Sequence, residues 1–131
     1  MARTVFICDD NDGDVGLLLQ AFTTAGFSPD IIRARDGAEA IRFLETDPVL
    51  DLVILDQRIP LHSGQEVVQH LVRCGHFPGC PVIVMTSQLG NERERLQALG
   101  VHTILEKPFS LEGYMEVGSS LANLVVNRND R

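Results

Sequence analysis

The chain is short of what a membrane protein, a secreted protein or a nucleic-acid binder needs. No apolar run approaches the roughly 18 residues of a bilayer span. The opening Met1-Ala2-Arg3-Thr4-Val5-Phe6-Ile7-Cys8-Asp9-Asp10 reaches its acids too soon for the apolar core of a signal peptide. A cytoplasmic location without membrane contact is therefore expected. Basic residues are scarce, 11 against 18 acids, for a net charge of −7. Such a chain repels phosphate backbones unless it carries a local basic patch, and it has none, so no nucleic acid is expected as a partner. Cysteines are few: Cys8, Cys74 and Cys80 form no CxxC pair, and buried reduced thiols account for them. His62, His70, His76 and His102 lack metal-ligand spacing and suit loop or surface positions. No GxxxxGK[ST] occurs, which removes P-loop nucleotide chemistry. Aromatics are only 5% of the residues, so the 44% hydrophobic fraction is largely aliphatic. With no linker or low-complexity stretch, residues 1–131 read as one domain of ordinary size.

What is present is a repeated alternation. Five short apolar runs rich in β-branched residues occur at Thr4 to Cys8, Asp30 to Ala34, Asp51 to Leu55, Pro81 to Thr86 and His102 to Leu105. Val5-Phe6-Ile7-Cys8, Leu52-Val53-Ile54-Leu55 and Val82-Ile83-Val84-Met85 are apolar at every position. Strands covered on both faces have this pattern, which points to a parallel sheet between helices. The intervening stretches have helical spacing and start signals. Asp36 and Ser63 each offer a cap with an acid three residues later, Asn91 a weaker one, and Ser110 and Asp12 suit the last and first helices. Gly26 and Gly100 stand where helix ends favour a left-handed residue. A βα unit repeated five times predicts a doubly wound α/β domain.

In open parallel sheets, ligands sit beyond the carboxyl ends of the strands. The first run leads into Asp9-Asp10, the third into Asp56, the fourth ends in Thr86 and the fifth leads to Lys107-Pro108. Three carboxylates, a hydroxyl and an amine are thus expected at one edge. Gathered carboxylates repel each other unless a cation is present. A hard divalent ion such as Mg²⁺, which takes few carboxylates and keeps waters, suits them. Cation, lysine and hydroxyl together suit a phosphoryl group, whose transfer depends on positioning and charge neutralisation, and a carboxylate can itself be the acceptor.

These residues, in this order and spacing, resemble the CheY-like receiver domains of response regulators across essentially the whole chain. The matching features are Asp9-Asp10, Leu55-Asp56 with Pro60 and Gly64, Thr86-Ser87, and Lys107-Pro108-Phe109. The resemblance implies a flavodoxin-like sheet of order 2-1-3-4-5. It implies Asp56 as phosphoacceptor from a sensor histidine kinase or phosphotransfer protein, and Mg²⁺ bound by Asp10, Asp56 and the Arg58 backbone carbonyl, with Asp9 acting through metal-bound water. Thr86 and Lys107 would hold the phosphoryl oxygens, and Pro108 would follow a cis peptide. Arg58 and Gln88 occupy positions that set phosphoryl lifetime in such domains.

Two features depart from the common pattern or narrow it. Ile104 stands where the family carries its switch aromatic, so a ring flip is not the expected readout. The run Asp9 to Val15 with Leu17-Leu18-Leu19 further resembles small regulators serving bacterial phytochrome kinases. The chain ends at Arg131, soon after the fifth predicted helix, so the output is expected to be a protein contact or onward phosphotransfer. The last helix has one apolar stripe of Leu111, Met115, Gly118, Ala122 and Val125, and beside it Tyr114, Val117, Leu121 and Leu124. One stripe normally suffices for a surface helix, so the second is expected to form a homodimer interface. A phosphorylation-independent adaptor is the competing expectation. An aspartyl-nucleophile hydrolase is disfavoured because Arg58 stands where such enzymes place a second aspartate.

Overall fold

The computed structural model describes residues 3–59, 61, 63–73, 75, 79–87 and 93–129. Gln88, the cap at Asn91, Pro60, Cys74, His62 and His76 lie outside the described residues. Among the described residues, ten elements alternate: β1 Thr4–Cys8, α1 Asp12–Thr24, β2 Asp30–Ala34, α2 Gly37–Leu44, β3 Leu52–Asp56, α3 Gly64–Arg73, β4 Val82–Thr86, α4 Arg93–Leu99, β5 Thr103–Glu106 and α5 Leu111–Asn129. Every strand pairing is parallel, and the sheet order is β2-β1-β3-β4-β5. The third and fifth strands run one residue later than their apolar runs, which brings Asp56 and Glu106 into the ladder.

The continuous apolar strands are explained by their two buried faces. Successive side chains point to opposite sides of a strand. Phe6, Cys8, Val53, Leu55, Val82 and Val84 join the core under α2, α3 and α4. Val5, Ile7, Leu52, Ile54, Ile83 and Met85 join the core under α1 and α5. No described helix is long and apolar enough to cross a membrane.

Helix starts follow local hydrogen-bond chemistry. Asp36 Oδ1 accepts from the Glu39 amide at 2.7 Å, and Ser63 Oγ from the Glu66 amide at 3.2 Å. Asp36→Ala removes a side-chain acceptor that only water can replace. It should lower stability by about 1 kcal/mol, read as a reduced urea midpoint at unchanged slope. An unchanged midpoint would show that the cap contributes nothing. The first helix is capped by Asn11, which accepts from the Asp14 amide at 3.0 Å, and not by Asp12. Both residue types cap well, and Asn11 takes the role because the extended backbone ends there. Gly26 and Gly100 adopt φ of 76° and 107° after α1 and α4, conformations open to glycine.

The expectation of a surplus stripe on α5 is corrected. Tyr114 and Leu121 are each 3% exposed and belong to the α1-side core. Val117 and Leu124 are half-buried against the same cluster. This helix packs on both the sheet and α1, and two neighbours require a face wider than one stripe. Of the four candidate dimer residues, Val117 and Leu124 alone keep partial exposure.

Candidate functional site

At the carboxyl edge of the sheet, the strands deliver their last polar residues to one cleft. Asp9 follows β1, Asp56 ends β3 and Thr86 ends β4, all three buried, while Asp10 is exposed. Lys107 follows β5, and its amide donates to the Thr86 carbonyl at 2.6 Å, extending the ladder by one step. Gly64, opening α3, allows the close passage of that helix. A Cβ there would stand 2.9 Å from the Asp56 carbonyl oxygen.

The Lys107 ammonium is the hub. Its Nζ lies 2.7 Å from Asp14 Oδ2, 3.1 Å from Asp9 Oδ2 and 3.2 Å from Asp56 Oδ2. Asp56 is fixed at both oxygens, because Oδ1 accepts from the Arg58 amide at 3.1 Å. Asp9 Oδ1 accepts from the Asn11 amide at 2.9 Å. The Asp9 main-chain carbonyl accepts from Arg33 Nε and Nη2 at 3.2 and 2.9 Å, and the same guanidinium pairs with Asp12 at 2.7 Å.

The electrostatics follow from this crowding. Burial raises the Asp9 carboxyl above the ordinary carboxylate range, and the Asp56 charge adds to the rise against the Asn11 amide and Lys107. Burial pulls Lys107 down, but the carboxylates of Asp14, Asp9 and Asp56 outweigh it and hold the amine protonated well above its ordinary value. Cys8, beneath the site, is pushed up to about 12 by burial and then by the charges of Asp9 and Asp36. It is a packed thiol and no nucleophile at neutral pH.

Asp9, Asp10 and Asp56 each offer a carboxylate oxygen within 4.8 Å of the others. Ligands about 2.1 Å from Mg²⁺ lie roughly 3–4 Å apart around an octahedron, so this donor set fits a small hard cation with modest adjustment. Thr86 and Lys107 stand at the same edge. Ile104 is 8% exposed and packs in the α4-side core.

A family model, the response regulator receiver domain, matches residues 5–117. The chain belongs to this family. Over 117 residues it is 29% identical to the polar-differentiation response regulator DivK of Brucella anthropi, covering 88% of this chain and 93% of DivK. Among solved structures, it superposes on the phosphorylated cyanobacterial phytochrome response regulator RcpA with a TM-score of 0.86 at 20% identity, covering 98% of this chain and 96% of RcpA. The Mn²⁺-bound form of response regulator Rcp1 gives 0.81 at 23% identity over 92% of each chain. These two likenesses establish the shared fold.

Two residues of this receiver site carry no signal in the sequence that marks them. Asp14 makes the shortest contact to Lys107, and the Tyr114 hydroxyl donates to its other oxygen at 3.2 Å. Asp14 lies in an acidic run with nothing to set it apart from Asp12. Tyr114 reads as one more apolar position on its helix.

Proposed function

We propose that this receiver is a phosphorylation switch, one unit over residues 1–131, with Asp56 as phosphoacceptor. The observation that carries the reading is the double hold on Asp56: Oδ1 on the Arg58 amide and Oδ2 on Lys107, beside two further carboxylates. A carboxylate oxygen of Asp56 attacks the donor's phosphorus, the bond from phosphorus to the donor breaks, and an acyl phosphate forms. The donor is a sensor histidine kinase or a phosphotransfer protein. The run from Asp9 to Val15 with Leu17-Leu18-Leu19 favours a bacteriophytochrome kinase as that donor.

Asp9, Asp10 and Asp56, with the Arg58 carbonyl, would hold Mg²⁺. When bound, the ion neutralises charge developing on the phosphoryl oxygens. Lys107 pairs with the same oxygens, and Thr86 donates to one of them. The new charge then biases the neighbouring loops between two arrangements. Because Ile104 has no polar ring to bury or expose, this redistribution is read elsewhere on the surface. The switched surface meets protein partners in the cytoplasm, and the domain has no separate substrate.

Intact mass after incubation with acetyl phosphate tests the reading. Wild type should gain one phosphoryl group with Mg²⁺ and none without it, and Asp56→Asn should gain none. Wild type that neither gains the group nor binds beryllofluoride would instead support a phosphorylation-independent adaptor.

A further inference from the structure

Lys107 has three N–H donors, and in this structure three carboxylates occupy them. A phosphoryl oxygen on Asp56 can bond the ammonium only by displacing one. Asp9 and Asp56 belong to the cation cluster, whereas Asp14 does not. Asp14 comes from the first turn of α1, and its partner Tyr114 from the first turn of α5. The Asp14 side chain is 24% exposed and Tyr114 3% exposed, so neither contact is a mobile surface pairing. A chain of hydrogen bonds therefore runs from Asp56 through Lys107 and Asp14 to Tyr114, linking the site to a helix that carries none of its ligands.

We propose that Asp14 is a positioning residue that holds Lys107 in the resting protein. Its bond to Tyr114 carries the lysine's departure to the start of α5. The inference rests on Asp56 being the phosphoacceptor. When the phosphoryl group draws Lys107 toward Asp56, Asp14 loses its shortest contact. Tyr114 then remains as its side-chain donor, and the phenol bond strengthens. Phosphorylation is thereby felt at the α1–α5 junction without any aromatic at position 104.

The chain supplies its own reporter, since it has one tyrosine and no tryptophan. A carboxylate accepting the phenol proton quenches tyrosine emission. Adding Mg²⁺ with beryllofluoride to the full chain should therefore lower the Tyr114 emission, while fluorine NMR reports the bound fluoride complex separately. In Asp14→Asn the complex should still bind and the fall should vanish. Bound beryllofluoride with flat or rising emission in wild type, or an equal fall in Asp14→Asn, overturns the inference alone. No bound complex in wild type overturns the phosphoacceptor reading, and this inference with it.

Discussion

Lys107→Met is expected to lower the stability of the metal-free protein by about 3–5 kcal/mol at neutral pH, the range for removing one partner of a buried ion pair. Methionine keeps most of the side-chain volume, so the loss is electrostatic. The Lys107 side chain is 13% exposed, and those of Asp9, Asp56 and Asp14 are 7%, 9% and 24% exposed. Without the ammonium, three gathered carboxylates face each other with little water to screen them.

The pH dependence gives this prediction its signature. In wild type the Lys107 pKa is raised in the fold, so its contribution is fully present below the ordinary 10.5 and is lost as pH rises through the folded value. In the variant the relevant groups are the acids. Asp9 already lies above its ordinary 3.8, chiefly through burial, and loses its nearest cation. A carboxyl raised in the fold costs nothing below 3.8 and costs most above its folded value. The deficit should therefore be small near pH 4 and full at pH 7. Denaturant titrations at both values, with and without Mg²⁺, check this. Millimolar Mg²⁺ should restore part of the loss at pH 7, since it replaces one cation by another. A deficit equal at the two pH values would mean that packing and not charge was removed.

The same site shows which parts of this protein are legible from its sequence. Strand ends are easy to read here because β1, β3 and β4 are buried on both faces. Their apolar runs stop abruptly, and the first polar residue after each stop marks the sheet edge. Asp9, Asp56 and Thr86 stand out in this way, whereas Lys107 comes one residue after the first polar position of its run, Glu106, which still belongs to β5. Position along the chain also reveals Asp36 and Ser63 as caps, since the cap chemistry acts over three residues. What stays hidden depends on distant partners. Asp14 meets Lys107 across 93 positions and Tyr114 across 100. Residue type alone does not separate it from Asp12, which instead pairs with Arg33 and Arg35. The second stripe of α5 misleads for a related reason. A helical pattern records how much of the helix is covered, not whether the cover is its own sheet, a neighbouring helix or another molecule.

That covering makes Gly118 the other position of large expected effect. A Cβ added there would overlap Ala21 Cβ and stand 3.0 Å from the Ala21 main-chain carbon. Ala21 is fully buried on α1, and no flexible side chain is available to move aside. Two effects oppose each other in Gly118→Ala. Helix propensity favours alanine over glycine by about 1 kcal/mol. Overpacking a tight interface costs about 1–3 kcal/mol, sometimes more. At this separation the clash prevails, because α5 must lift from α1 along its length. The expected net result is a loss of about 2 kcal/mol.

Gly16 provides the contrast. It lies within α1, exposed, and an added Cβ would meet nothing within 4 Å. Gly16→Ala should therefore gain about 0.5–1 kcal/mol from propensity alone. Adding Ala21→Gly to Gly118→Ala tests the cause. If contact between the two methyl groups sets the cost, the double variant should be more stable than the sum of the single losses predicts, by roughly 1 kcal/mol or more. Strict additivity in urea denaturation would show that the two helices already have room between them, and that the glycine is not what lets α5 seat against α1 and bring Tyr114 to Asp14.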